Sequence, residues 1–401
     1  MALTDKKLIE KFLNRGVEHI FPSKDELRKK MLKGERMKVY QGFDPTGPFL
    51  HVGHAMGIRA MRILQQLGHE VIFLIGDFTA KIGDPDKGKT RKLLSDEEIE
   101  KNMAGWKKQA GQLIDFSDKK NPVRFERNYK WLSKLKLEDV LELMSHITVQ
   151  RMLERDLFER RIKEGNPIRL HEFCYPLMQG YDGVAMKVDM EMGGSDQIFN
   201  MLVGRELSKA YLKKEKFVRA NKMMTSPDGK AMSKTRGNGI NLSDAPEQMY
   251  GKAMSFPDNL ILQGFELLTD VENIEEMEQR MKKGENPMKF KKLLAFEIVR
   301  IIKGEKQAQK AQKEFERVFS KKELPSEMPK FSPKKNSYLI LDLLTEAKLA
   351  SSKSEAKRLI EQKAVKINNQ VITDWKKEIK MEKDIIIKVG KRKFIKCQKK
   401  Y

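Results

Sequence analysis

The sequence predicts an α/β protein built on a doubly wound parallel sheet, followed by a helical region and a small basic α+β module. Three observations carry this expectation. Val71-Ile-Phe-Leu-Ile75 is a short unbroken apolar run, the pattern of a strand covered on both faces. Apolar residues from Ala55 to Leu67 recur at helical spacing directly after a turn-rich break, so a strand hands over to a helix near His51. From about Ser243 the periodicity is helical alone, and a chain of 401 residues has room for separate cores.

Taken in order, Lys38-Val-Tyr-Gln-Gly-Phe43 reads as a strand that ends in the turn residues Asp44-Pro-Thr46. Gly76 to Pro85 reads as a loop at the carboxyl end of the Val71–Ile75 strand, where doubly wound sheets bind ligands. Leu137 to Lys163 reads as helical with an apolar face of Val140, Leu143, Met144 and Ile147, and Gly165-Asn-Pro167 ends it. Pro287 to Ile302 and Glu305 to Phe319 each carry one apolar stripe. The expected division is residues 1–240 for the sheet domain with a helical insertion near 125–170, 241–320 for a helical domain, 321–335 for a Pro- and Lys-rich linker, and 336–401 for the last module.

Composition excludes several classes. No apolar run approaches a membrane span, and Met1 to Glu10 lacks the apolar core of a signal peptide. Two cysteines, Cys174 and Cys397, fit a reducing cytoplasm and offer no metal-ligand spacing, so no protein-bound metal is expected. The net charge is +23, and residues 331–401 hold 19 basic against 8 acidic side chains. Such a basic end attracts phosphate backbones.

The chemistry concentrates in two strings. His51-Val-Gly-His54 stands at a helix N-terminus, where free N–H groups and the helix dipole favour anions, and Gly53 lets a ligand approach the backbone. Two imidazoles there suit a polyphosphate that gains charge in a transition state. About 180 residues later, Lys230-Ala-Met-Ser-Lys234-Thr235 lies in a Gly- and Lys-rich stretch that reads as a cation-bearing loop suited to closing over a leaving pyrophosphate. A third string, Gly83-Asp-Pro-Asp-Lys-Gly-Lys-Thr90, matches the P-loop pattern in letters only. Pro85 removes a backbone donor, Asp84 and Asp86 repel a polyanion, and Gly83 lies too far from the strand. Asp84 suits a cation better, such as an ammonium.

The first two strings, in this order, resemble the paired signatures of class I aminoacyl-tRNA synthetases. Val39-Tyr-Gln-Gly-Phe-Asp-Pro-Thr46, Gly76 to Pro85, His171-Glu-Phe-Cys-Tyr-Pro-Leu-Met-Gln-Gly-Tyr-Asp182, Gly193-Gly-Ser-Asp-Gln197 and Met232-Ser-Lys-Thr235 together resemble the bacterial tyrosyl-tRNA synthetases. The resemblance implies a Rossmann-like catalytic domain and a C-terminal S4-like RNA-binding domain. It implies that Tyr40 and Asp182 meet a phenol, that Asp84, Tyr175 and Gln179 hold an ammonium, and that Gln197 lies nearby. Tyr175, Gln179 and Asp182 fall at i, i+4 and i+7, one face of a helix. For ATP it implies His51, Gly53 and His54 at the phosphates, Asp196 at the ribose, and Asp44, Thr46 and Gly194 near the nucleotide. Met232, Ser233, Lys234 and Thr235 would come from the loop. Catalysis would fall to His51, His54, Lys234 and Thr235, with Mg2+ arriving on the ATP. The implied partners are L-tyrosine, ATP, tRNA(Tyr) and a second copy of the chain, with no membrane.

Two departures stand out. The usual first lysine of the loop is Ala231, with Lys230 beside it, and the segment carrying Lys87, Lys89 and Arg91 differs from the family in length and order. The rival readings are a tryptophan-specific synthetase and an RNA-binding protein that has lost activity. The tail reads as two short helices from Leu341 to Glu361, with Ser352 or Ser354 as a cap and Lys353, Lys357 and Arg358 exposed. A hairpin around Asn368-Asn369 and a strand from Asp384 complete a module suited to RNA shape and phosphates.

Overall fold

The computed structural model describes residues 1–84, 94–224, 239–320, 329–333, 335–368, 370–381, 384–390 and 393–398. The chain forms two compact units, Met1–Glu305 and Lys306–Tyr401.

The first unit is built on a six-stranded sheet: β1 (Val17–Phe21), β2 (Lys38–Phe43), β3 (Glu70–Ile75), β4 (Arg124–Arg127), β5 (Met190–Gly194) and β6 (Phe217–Asn221), in the order β1-β6-β5-β2-β3-β4. β2 to β6 run parallel, and β1 closes the edge antiparallel to β6. Five strands thus form the expected parallel sheet, and the antiparallel edge strand β1 makes it mixed. β3 is buried along Val71 to Ile75, which explains its unbroken apolar run. The chain leaves β2 towards β3 on one side, while β5 returns on the other. The carboxyl ends of β2 and β5 thus flank a topological switch point, the place where such sheets open a binding crevice.

Four local expectations need correction. Gly76–Pro85 is not all loop, because Thr79–Ile82 makes one helical turn. Leu137–Lys163 is three helices, Leu137–Ser145, Val149–Leu153 and Asp156–Lys163, interrupted where Thr148 caps a new N-terminus. On the first of these, Leu143 is buried with Val140 packed beside it, whereas Leu137, Leu141 and Met144 turn to solvent at i, i+4 and i+7. The region near 125–170 is also not purely an insertion, since β4 at its start belongs to the sheet. The helix from Glu305 ends at Phe315 and continues as a π-helical segment over Glu316–Ser320.

The second unit contains β7 (Lys330–Phe331), β8 (Ser337–Leu339), β9 (Val365–Ile367), β10 (Gln370–Val371), β11 (Glu378–Lys380), β12 (Ile385–Val389) and β13 (Lys393–Cys397). Five strands pair in the order β10-β9-β12-β13-β7, and β11 pairs with β8. Helices Ile340–Glu346 and Lys353–Glu361 cover a core of Leu343, Leu344, Ala356, Ile360, Val365 and Ile387. Ser352 is the cap, accepting from the Glu355 N–H at 3.2 Å. The expected hairpin is β9–β10, with Asn368 at a positive φ of 46°. Lys357 lies over the Trp375 ring at 4.5 Å and Lys353 pairs with Asp342 at 2.5 Å.

One core group gives a pH signature. His69 is buried, accepts from the Met37 N–H at 3.2 Å, and is pushed down to about 4, chiefly by burial and then by Arg36. A depressed folded-state value adds stability above the unfolded value near 6.5, and that stability is lost as pH falls towards 4. Urea unfolding across this window should show a loss of about 3 kcal/mol from His69. His69→Leu should remove that part of the slope.

Candidate active site

The two histidines sit where the sequence places them. His51 is the N-cap of the Val52–Gln66 helix, in extended backbone. Its Nδ1 accepts from the Gly53 N–H at 3.1 Å, and its own N–H donates to Nδ1 of His54 at 3.1 Å. The two rings lie 4.0 Å apart by their centroids. A Cβ at residue 53 would come 2.8 Å from Cε1 of His51, so this cap requires glycine there. No acidic residue occupies the first turn, so the anion-favouring end of the helix is not neutralised locally.

Behind them, β2 and the Cys174–Met186 helix face each other. Tyr40 is buried, and its hydroxyl donates to the carbonyl of Gln179 at 3.3 Å. Asp182 is 3% exposed, with Oδ1 accepting from Trp131 Nε1 at 2.7 Å and Oδ2 from Asn128 Nδ2 at 3.1 Å. Burial raises the Asp182 carboxyl well above the usual range. The Trp131 and Asn128 donors oppose that rise, while Glu191 and Asp44 add to it. Burial also raises the Tyr40 phenol, and the nearby Glu191 and Asp182 reinforce it. Asn128 is fixed in turn, donating to Thr79 Oγ at 3.1 Å and accepting from the Phe78 N–H at 2.9 Å.

Tyr175, Gln179 and Asp182 all lie on the Cys174–Met186 helix. The structure ties them to the ends of the strands. The Tyr175 hydroxyl donates to Asp44 at 2.9 Å, and Thr79 donates to the other Asp44 oxygen at 2.7 Å. Asp84 accepts from Arg155 Nη2 at 2.6 Å and from Gln197 Nε2 at 2.7 Å. Asn200 donates to the side-chain oxygens of Gln197 at 2.9 Å and Gln179 at 3.0 Å. Asp196 is exposed at the mouth and receives the Gln197 amide at 3.3 Å. Lost hydration raises its carboxyl and Asp84 adds to that, against the Gln197 bond. Gly194 precedes it, and a Cβ there would run into Oδ1 of Asp196. Thr46 is exposed in the turn after β2.

Thus Tyr175, Asp44 and Asp182 fall in one bonded group, through Thr79 and Asn128, and Tyr40, Gln179, Gln197, Asp84 and Asp196 in another, through Asn200; the Cys174–Met186 helix contributes to both. Met232, Ser233, Lys234 and Thr235 lie outside the described residues, as do Lys87, Lys89, Arg91, Lys230 and Ala231. Lys353, Lys357 and Arg358 are exposed on a helix of the second unit. Among the described residues no group of His, Cys, Asp and Glu is arranged to hold a metal ion, and no helix is long and apolar enough to cross a membrane. Six participants fall outside the site residues and segments expected from sequence: Asn128, Trp131, Arg155, Glu191, Asn200 and Lys216. Asn128 directly follows β4, so its place at a strand end is the available signal. Nothing local marks the others.

Residues 32–320 match the family model for class I tRNA synthetases (W and Y), and residues 320–397 match a tyrosine–tRNA ligase SYY-like C-terminal domain. The tyrosine–tRNA ligase of Thermotoga maritima is 46% identical over 391 residues, covering 96% of both chains. That of Moorella thermoacetica is 42% identical over 392 residues, covering 96% of this chain and 94% of its own. A C-terminally truncated mitochondrial tyrosyl-tRNA synthetase of Aspergillus nidulans superposes with a TM-score of 0.66 at 23% identity, over 78% of this chain and 94% of that one, a likeness of fold. The chain belongs to the class I tRNA synthetases of the W and Y group, and within that group to the tyrosine–tRNA ligases.

Proposed function

We propose that this tyrosine–tRNA ligase activates L-tyrosine with ATP in the cluster at the switch point and then transfers it to the 3′ end of tRNA(Tyr). The observation that carries the reading is Asp182: a buried carboxyl, fixed through both oxygens, on the same helix face as Tyr175 and Gln179 and facing Tyr40. Burying an ionisable group costs stability that its hydrogen bonds only partly offset, so such a group in a cleft marks a candidate site, and accepting a ligand hydroxyl is a task that suits it. Selecting tyrosine through its hydroxyl is a known property of this family. A site built to bond that hydroxyl leaves buried polar groups unpaired when phenylalanine enters instead. In this reading the phenol meets Tyr40 and Asp182. The ammonium takes Tyr175, Gln179 and Asp84, the last shared with Arg155, with Gln197 beside them.

The tyrosine carboxylate attacks the α-phosphorus, one P–O bond forms as another breaks, and pyrophosphate leaves. The nucleophile is already ionised, so positioning and charge stabilisation suffice. His51 and His54 donate to the phosphates, Asp196 meets the ribose, and Asp44, Thr46 and Gly194 border the nucleotide. Lys234 and Thr235 serve the leaving group. Mg2+ arrives with the ATP, held mainly by phosphates and water. In the second step a terminal ribose hydroxyl of the tRNA attacks the tyrosyl carbonyl and AMP departs. Residues 241–320 serve the anticodon side, and 336–401 bind RNA through Lys353, Lys357 and Arg358. The cytoplasm suits two free thiols that burial keeps protonated, Cys397 being pushed up to about 11.

A homodimer is part of this reading. Leu137 is 75% exposed and Leu141 57% on one helix, and Val149 62% on the next, apolar side chains left uncovered among the described residues. Leu141→Glu is expected to shift sedimentation towards monomer, whereas an unchanged dimer would move the interface elsewhere.

Pyrophosphate exchange tests the substrate. It is expected with L-tyrosine and hardly at all with phenylalanine or tryptophan; exchange with tryptophan alone would sink the reading. Asp182→Ala should weaken tyrosine by one to two decades, about 1.5–3 kcal/mol for a charged hydrogen bond, and narrow the gap to phenylalanine.

Deleting the chain from Asn336 should leave tyrosyl-adenylate formation nearly intact while weakening tRNA charging. The slope of log affinity against log salt should become shallower by about 0.7–0.9 for each lost phosphate contact. A truncated chain that charges tRNA with an unchanged slope would remove the tail from RNA binding.

A further inference from the structure

Glu191 and Lys216 form an ion pair at 1% and 0% exposure, one on β5 and the other just before β6. Space for it is made by glycines. A Cβ at Gly204 would lie 2.5 Å from the Lys216 ammonium and 3.1 Å from Oε2 of Glu191, and one at Gly183 would lie 3.2 Å from the ammonium. The other Glu191 oxygen, Oε1, accepts from Gln179 Nε2 at 3.0 Å. On its far side the Gln179 carboxamide accepts through Oε1 from Asn200 at 3.0 Å.

A carboxamide has two rotational states that exchange its oxygen and its NH2. An ionised carboxylate accepts only, so the NH2 must face Glu191. The Asn200 contact favours the same state. The Gln179 oxygen is then presented on the opposite side with a second lone pair available. A flipped amide would turn donor hydrogens towards an ammonium, which is itself only a donor. We propose that Glu191, clamped by Lys216, is a positioning residue that locks the Gln179 carboxamide in its ammonium-accepting state. This rests on the reading of Gln179 given above. A buried ion pair is weak support for stability in itself, because desolvation offsets the attraction. Orienting a ligand-binding amide gives it a purpose.

The test uses the full-length chain with Glu191→Leu and Lys216→Met together, which leaves no unpaired charge in the core. The KM for tyrosine in pyrophosphate exchange is expected to rise about tenfold, the scale of one charge-assisted hydrogen bond, with kcat moving by less than about twofold. On a Gln179→Ala background the same pair should change KM by less than about twofold, since the amide it orients is gone. Fully additive effects, or an unmoved KM while Gln179→Ala alone raises it, would overturn the proposal. The Tyr40 phenol also faces Glu191. A collapse of the tyrosine/phenylalanine ratio that persists without Gln179 would therefore assign Glu191 to the phenol and equally overturn it. If Gln179→Ala leaves KM unchanged, the ammonium reading itself falls and takes this proposal with it. Should the paired variant not fold, Glu191→Gln keeps the volume; a KM rise of at least about threefold that Gln179→Ala cancels is expected, and no rise overturns the lock.

Discussion

The close approach of two helices is the constraint on which the first unit's site depends. The Cys174–Met186 and Ile198–Leu212 helices pass so near that a Cβ on Gly180 would sit 3.0 Å from the Gly204 Cα. With side chains absent at the crossing, backbone meets backbone, and the two helices can share one polar seam. Along it run Lys216, Glu191, Gln179, Asn200, Gln197, Asp84 and Arg155, each bonded to the next. A larger residue at the crossing would separate Gln179 from Asn200 and evict the lysine. The packing at the helix contact and the order of the polar groups are thus one requirement.

The seam also explains how a protein of net charge +23 carries an acidic pocket. Asp44 and Asp182 fall in one bonded group and Asp84 and Glu191 in the other, and each is held by a neutral donor or a cation from the protein. Such carboxyls can meet an ammonium and a phenol without a diffuse negative field that would repel ATP. The anion-favouring side is different in kind: a helix N-terminus and two imidazoles. Acidic and anion-favouring halves lie at neighbouring strand ends, which suits the joining of a zwitterion to a polyanion.

Much of this can be read from the chain because the relevant information is local. A buried strand such as β3 announces itself by composition, the helix after His51 by period, and the shared face of Tyr175, Gln179 and Asp182 by spacing. What escapes depends on distance in sequence. Trp131 reaches Asp182 across 51 positions and Lys216 reaches Glu191 across 25. Nothing near either residue says that it is bonded to an acid. Met144 departs from expectation for a related reason. Periodicity finds an apolar face but does not say whether the same chain covers it. The antiparallel edge strand β1 is invisible in the sequence because its residues are half exposed and carry no alternation.

The way the histidines close their helix has a further chemical consequence. Each uses Nδ1 to accept a main-chain N–H, His51 from Gly53 and His54 from His51. A nitrogen that accepts carries no proton, so the neutral ring must hold its hydrogen on Nε2. The cap thereby selects the tautomer of both imidazoles and makes Nε2 the donor of each. Taking up a second proton at Nδ1 would break the cap that positions the ring. The pair is built as two fixed donors of the neutral form, and relaying protons through Nδ1 would undo the helix end that holds it.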